Sequence, residues 1–462
     1  MSTIAPAPAT TRLQRIKQLT PGDAATLLSF FVALLIGSPS RYVFGPLGGA
    51  GTPAQILGMT AAIWWAANGL ARARRTPKVP QRIRRALLVF SGAILASYVA
   101  ATVRPIEADE LASADRGLLL LLAWWGIVLV AMDGIPTRAR LDTVIRRLVF
   151  AGGAVATLGI VQFETGIAFT NFLRLPGLTE NGGLADIGNR DGFLRPSGTA
   201  VHPIEFGVAL NIFLPLAIHY AMNDRGLRRP LRRWYPVVAL AFCISVSVSR
   251  SAILCVVVAL AMLLPTWSRD VRRKAYVAIG ALMAIVYLTV PGMLGTILGL
   301  FTGISNDSSA QSRTDSYGIA LDFIHRSPFF GRGFSTFFPE YHILDNQYLG
   351  SVIEIGIVGL VALLYLWWSG LSTARQVRRD SSDPATRSLA QALAASLASG
   401  ASSFALFDAF SFPMVPGLMF LVLGLIAALY RLNRTAPRPT TAPAVSARPG
   451  PGPRRPAPAA PR

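Results

Sequence analysis

Residues 234–267 read WYPVVALAFCISVSVSRSAILCVVVALAMLLPTW. The run is apolar from end to end except at Ser249-Arg250-Ser251. Basic clusters flank it, Arg225–Arg233 before and Arg269–Lys274 after. Basic loops stay on the cytoplasmic side of a membrane. With both flanks inside, the run must cross twice and turn at Arg250. An arginine left at the bilayer centre would cost about 2.5–3.5 kcal/mol on insertion scales. The turn removes that cost and sets a guanidinium at the outer interface.

The same pattern extends both ways along the chain. Apolar runs near the length that spans a bilayer, about 20 residues, recur between short charged clusters. Spans are expected near 23–39, 54–71, 86–103, 117–133, 148–165, 203–222, 234–249, 251–267, 275–298, 349–371, 388–406 and 414–431. One such run could be a buried core helix, but this many cannot all be. They are too long for barrel strands, and open sheet edges cannot face lipid. The expectation is an all-α polytopic membrane protein of about twelve transmembrane helices with both termini cytoplasmic. Residues 1–22 are expected to be a disordered cytoplasmic extension. Residues 23–433 form the membrane domain, and the Pro/Ala/Arg-rich tail 434–462 is a second disordered cytoplasmic segment. Two outer loops are long: about 166–202, and about 299–348 between the ninth and tenth spans.

The charge balance fits this reading. The chain is 52% hydrophobic and 15% charged, with a net charge of +21. In a soluble protein that excess would suggest nucleic acid. Here most of the basic residues fall at the amino terminus, in Arg72–Arg85, Arg138–Arg147, Arg225–Arg233, Arg269–Lys274 and Arg375–Arg387, and in the tail. The excess is therefore a topology signal with attraction to anionic lipid, and nucleic-acid binding is excluded. Cys243 and Cys255 sit inside apolar runs and read as packing residues, without disulfide or metal-ligand spacing. No cleavable signal is evident, and the first apolar run reads as a signal anchor.

The chemistry-bearing stretch is Ser308–Gly359, SSAQSRTDSYGIALDFIHRSPFFGRGFSTFFPEYHILDNQYLGSVIEIGIVG. A surface helix is expected from Ser312 to His325, with Tyr317, Ala320, Leu321 and Ile324 on one apolar face. Arg313 and Asp315 fall in its first turn. Gly331 and Gly333 allow a tight backbone return with exposed amides. Arginine keeps its charge and grips phosphate oxygens through paired hydrogen bonds. Arg313 and Arg250 are therefore the first candidates for a phosphate clamp, with Arg195 and Arg332 behind them. A lipid-facing amphipathic helix would account for Arg313 equally simply, and an interfacial anchor for Arg250.

The carboxylates and histidines near the outer face complete the candidate set. His202 and Glu205 enter the top of one span, where ionisable groups are functional suspects; a plain helix start after Pro203 is the alternative. His342, Asp345 and Asn346 precede another span, with the latter two where a helix is capped. Glu354 lies deeper in that helix, beside Gly356 and Gly359, which suggest close packing. Asp408 sits in the last outer turn, Phe407–Pro413, within reach of the same cavity. Glu107-Ala108-Asp109-Glu110 could hold a divalent ion, but a solvated acidic turn explains it more simply. No cofactor motif is present, and no metal is assigned.

The arrangement resembles the bacterial O-antigen ligase and polymerase superfamily over roughly residues 150–430. The likeness rests on Ser249-Arg250-Ser251 and on Arg313 followed by Ser327-Pro328-Phe329-Phe330-Gly331-Arg332-Gly333. It rests also on Asp345-Asn346-Gln347-Tyr348-Leu349 leading into Glu354–Gly359, and on Gly198-Thr199 with His202-Pro203 upstream. Many members carry His-Asn where this chain has Asp345-Asn346; its nearest histidine is His342. The resemblance implies a GT-C-like membrane glycosyltransferase with its active site on the extracytoplasmic face of the plasma membrane. It would move a glycan from a polyprenyl-diphosphate carrier to an acceptor hydroxyl, inverting and metal-independent, with Arg250 and Arg313 on the diphosphate. Asp345, His342 and Glu205 compete as the base, with His202 beside them. Glu354, Asn346 and Asp408 would support the site. Other polysaccharide-assembly membrane proteins are implied as partners. A twelve-span flippase or secondary transporter fits the span count equally well, but such proteins often show repeat symmetry and midplane sites, which this sequence does not display. A scaffold subunit without activity is the remaining reading.

Overall fold

The computed structural model of the chain describes residues 23–72, 80–181, 188–190, 192–224, 230–293, 295–296 and 308–435. The expected polar extension at 1–22, all but the first two residues of that at 434–462, and the start of the long loop near 299–307 lie outside them. The described chain is almost wholly α-helical. Helices α1 to α6 are Ala24–Gly37, Pro53–Arg72, Arg82–Val103, Ala108–Gly134, Arg138–Thr165 and Pro203–Asn223. Helices α7 to α9 are Pro230–Val246, Arg250–Leu263 and Arg269–Thr289. Helices α10 to α13 are Ser308–Arg326, Gln347–Asp380, Pro384–Ser403 and Met414–Thr435. Two short antiparallel ribbons are the only strands among the described residues. Tyr42–Val43 pairs with Thr179–Glu180, and Gly188–Arg190 pairs with Phe193–Arg195.

Each expected span contains a helix, that expected at 275–298 ending at Thr289, and α10 is the surface helix expected in the long loop. Six helices are long and apolar enough to cross a bilayer alone: α3, α4, α5, α6, α11 and α13. The segments Ala24–Gly37 and Arg250–Thr266 are apolar but shorter. At 1.5 Å per residue the 14 residues of α8 reach only about 21 Å. Helix α9 opens with Arg269, Arg272, Arg273 and Lys274, which shortens its apolar part.

Helix α13 is the central post. Every residue from Met414 to Leu429 is buried. Around it the helices approach closely through small and hydroxylated residues, as membrane interiors require. On α12, Ser396 donates to the Ile212 carbonyl of α6 at 2.7 Å, and Ser399 to the Cys255 carbonyl of α8 at 3.0 Å. Helix α12 is thus an interior element despite its serines. Cys243 and Cys255 are buried free thiols.

The bundle has two distinct ends. At one end Asp23 pairs with Arg140, and Arg138 donates to Thr386. There too Tyr220 donates to Asp142, and Arg431 donates to the Met132 carbonyl. This basic end gathers Arg82–Arg85 with the Arg138–Arg147 and Arg375–Arg387 segments. At the other end Ser40 donates to the Thr199 carbonyl, Gln347 to the Phe404 carbonyl, and Met414 to Glu205. The turn carrying Arg250 lies at this loop end as well: the starts of α6 and α8 pack together, so that a Cβ on Gly207 would stand 2.9 Å from the Ala252 Cβ.

Candidate active site

The frame of the loop end is a spliced helix. Gly356 breaks α11 with φ 70° and ψ −178°. A helix bonds each amide to the carbonyl four residues back, so the break frees the Ile353 and Glu354 carbonyls and the Ile357 and Val358 amides. The Ser327–Thr336 loop takes all four places. Arg332 and Gly333 donate to the Ile353 and Glu354 carbonyls at 3.0 and 2.9 Å, and Ile357 and Val358 donate to the Pro328 and Phe329 carbonyls at 2.9 and 3.2 Å. Backbone can approach this closely only where side chains are missing. A Cβ on Gly331 would stand 2.3 Å from the Glu354 carbonyl, and one on Gly356 would stand 2.1 Å from that of Phe329. The expected exposed amides are therefore a correction: the Arg332 and Gly333 amides are spent inside the protein on carbonyls that the broken helix frees, and the Glu354 carbonyl also accepts the Ser97 hydroxyl at 2.6 Å.

Side chains lock the splice. Glu354 accepts the Phe337 amide at 3.2 Å, so this deep carboxylate holds the loop. Arg332 pairs with Glu110, with its guanidinium 4.5 Å from the Tyr341 ring centre. Arg104 pairs with the second Glu110 oxygen at 2.6 Å, and Tyr341 donates to Glu110 at 2.6 Å. Glu110 is 2% exposed. The solvated acidic turn expected at Glu107–Glu110 holds for the exposed Glu107 and Asp109 but is corrected at Glu110, where two guanidiniums and a phenol compensate the burial of the carboxylate. Phe334 packs edge-on against Phe410, and Trp124 stacks on Phe420 at 4.6 Å, which gives the end an aromatic floor.

Above this floor stand the remaining candidates. Arg250 opens α8, where Ser249 caps the helix by accepting from the Ala252 amide at 3.3 Å. Asn346 caps α11 by accepting from the Leu349 amide at 3.2 Å. Asp345, just before it, is half-buried and electrostatically coupled to Asp408. Burial, reinforced by the Asp345 charge, pushes the Asp408 carboxyl up to about 6. His202 caps α6, with Nδ1 accepting the Ile204 amide at 3.2 Å. Burial, with the nearby Arg195 charge, holds its imidazole below the usual histidine range. Glu205 is fully buried, and its two oxygens accept the Val201 amide at 3.0 Å and the Met414 amide at 2.7 Å.

Helix α10 begins at Ser308 rather than Ser312, which places Arg313 and Asp315 in its second turn. The Arg313 side chain lies outside the described residues. Its helix is fixed at the loop end by Ser316, whose hydroxyl shares a 2.9 Å hydrogen bond with Nε2 of His342. The fold thus brings the Arg250 turn, the Arg313 helix, Asp345, Asp408, His202 and Arg195 to one end of the bundle. It ties Arg332, Glu354 and Glu205 into backbone and ion-pair contacts.

Sequence reasoning missed Gln347 and Glu110. Gln347 donates its amide to the Phe404 carbonyl at 2.7 Å and accepts the Phe410 amide at 2.7 Å, so it hangs the Asp408 turn on the start of α11. Nothing local marks that role. For Glu110, Arg104 is six positions away, but Arg332 and Tyr341 are 222 and 231 positions away in sequence.

Among the described residues, six apolar helices of spanning length, one of them the buried central post, define a multi-pass helical membrane protein. Residues 235–364 match the family described as O-antigen ligase, which the motifs resembled. That region contains the Arg250 turn, the Arg313 helix, the spliced loop and the start of α11. The family match indicates a glycosyltransferase-like enzyme. No curated protein matches the chain.

Proposed function

We propose that this protein is an integral-membrane glycosyltransferase of the O-antigen ligase or polymerase type, working at the loop end of its bundle. All twelve long-axis helices cross the membrane, with the basic end cytoplasmic by charge bias and the loop end outside. The donor is a glycan on a polyprenyl-diphosphate carrier, and the acceptor is a hydroxyl. The observation that carries the reading is the gathering, within the family-matched region, of the Arg250 turn, the Arg313 helix and Asp345 at one end.

The reaction follows from these groups. The acceptor oxygen attacks the anomeric carbon from the face opposite the diphosphate. The new C–O bond forms as the bond to the phosphate oxygen breaks, which inverts the centre. The departing diphosphate carries its charge away and needs compensation rather than a proton. Arg250 and Arg313 supply it, preorganised at a partly dry surface. The acceptor proton passes to Asp345. A positioned base contributes roughly 10²–10⁴ in rate. Asp345 suits this role better than Glu205, whose oxygens are committed to two backbone amides. The energy comes from the diphosphate linkage itself, since no nucleotide is needed outside.

The test is Arg250→Ala in cells that assemble the glycan. Accumulated lipid-linked precursor and lost product are expected. Unchanged levels of both, with the variant inserted normally, overturn the reading.

A further inference from the structure

The basic end holds a second site that the transferase chemistry does not use. Helix α8 is short, and its last turn closes as a tight 3-10 turn, Leu264–Thr266, around Pro265. It stops beside the end of α6, the end of α11 and the start of α12. A cavity of about 1050 Å³ remains between them.

Its lining is divided by chemistry. Arg375, Arg378, Arg379 and Arg387 form one side, and Met222, Met262 and Trp267 stand among the apolar residues of the other. No carboxylate lines it. Among the described residues no Asp or Glu makes an ion pair with any of the four arginines. Asp380 shares a separate, adjoining cavity with Arg375 and Arg379, and Asp383 is occupied in capping α12 through the Ala385 and Thr386 amides. Arg378 is held in place by a 2.5 Å hydrogen bond to Gln391, which in turn donates to the Met262 carbonyl. Four like charges gathered without an ion-paired carboxylate repel one another, and an anion between them removes that cost. Burial, and after it the nearby Arg387 charge, already disfavours the charged form of Arg378.

We propose that this cavity binds an anionic glycerophospholipid. The phosphate headgroup sits among Arg375, Arg378, Arg379 and Arg387, and an acyl chain lies along Met222, Met262 and Trp267. Guanidiniums suit phosphate oxygens geometrically, and basic pockets between helices are suited to anionic headgroups. A soluble phosphate would use the arginine side but leave the apolar wall wet. The site stands whether or not the transferase reading holds, since it lies at the opposite end of the bundle.

The test uses the full chain purified in a neutral detergent. Retained lipid is counted by native mass spectrometry, and thermal unfolding is followed with added phosphatidylglycerol, phosphatidylcholine or inorganic diphosphate. Phosphatidylglycerol is expected to be retained and to raise the unfolding temperature, with the other two far weaker. The double variant Arg375→Gln/Arg387→Gln is expected to bind phosphatidylglycerol at least tenfold more weakly. Its unfolding temperature without lipid should match the parent. Equal effects of phosphatidylcholine, or of inorganic diphosphate alone, overturn the proposal. So does unchanged phosphatidylglycerol binding in the double variant. If that variant does not fold, the comparison of the three additives on the unaltered protein decides.

Discussion

The Gly333 amide donates to the Glu354 carbonyl at 2.9 Å, in the place that the Val358 amide would hold in an unbroken helix. A loop some twenty residues upstream thereby becomes part of α11. Its arginine, Arg332, is pinned to Glu110, and the helix start carrying Asp345 and Asn346 is fixed relative to the loop.

The splice predicts a steep penalty for any side chain at its glycines. Gly331 and Gly356 have φ of 69° and 70°. Alanine there would meet backbone atoms within 2.3 Å, which cannot yield as a flexible side chain can. Gly331→Ala and Gly356→Ala should each destabilise by more than about 1–3 kcal/mol, the usual scale of such backbone strain alone. The control is Gly350→Ala, whose nearest neighbour would be the Gln347 amide nitrogen at 3.6 Å. It should be neutral or stabilising by up to about 1 kcal/mol from helix propensity. Thermal unfolding in detergent reads all three, and equal behaviour would refute the splice.

Glu110 should matter as much as any residue in the motif. Its removal leaves Arg332 without its carboxylate in a 14%-exposed position. Glu110→Ala is expected to cost about 3–5 kcal/mol, the scale for breaking a buried pair. Protease cleavage between residues 327 and 341 should increase at the same time. Glu107→Ala, at an exposed position, should change neither.

The paired carboxylates divide by role. Asp345→Asn is expected to lower turnover of a defined polyprenyl-linked donor by roughly 10²–10⁴ without loss of folded protein. Asp408→Asn should lower it far less. Equal losses in both variants would place the base elsewhere.

Asp408 also predicts a pH dependence of stability. Its folded carboxyl titrates near 6, above the ordinary aspartate value. A raised acid pKa favours the protonated form in the folded state. Its contribution is therefore full below the unfolded value, near 4, and declines as pH rises to about 6. The change is on the order of 1 kcal/mol once partial exposure is allowed for. Unfolding temperatures of the parent should fall over this window relative to those of Asp408→Asn. Parallel curves would show that Asp408 is not held in this environment.

Arg250→Lys tests geometry rather than charge. Lysine keeps the positive charge but cannot offer two parallel donors. The expected loss is on the order of 10² in turnover, as for removal of one preorganised donor. Full activity would mean that Arg250 acts only as an interfacial anchor.

The sequence by itself determined the helices. Hydropathy and the placement of Arg and Lys located the long segments, because lipid leaves the backbone no other way to satisfy its hydrogen bonds; some helix ends lie as much as ten residues from the expected ones, as for Arg138–Thr165 against 148–165. The breaks between them, and the Arg250 turn above all, were legible for the same reason: a charge inside an apolar run has only one inexpensive place to go. What each polar residue does was decided by the tertiary structure. Glu354, Glu205, Arg332 and Glu110 carry the same residue types as a catalytic site, yet contacts more than 200 positions apart, such as the 222 between Glu110 and Arg332, commit them to holding backbone and one another. A carboxylate's role depends on which amides and guanidiniums arrive beside it, and that is set by how helices pack rather than by any local pattern.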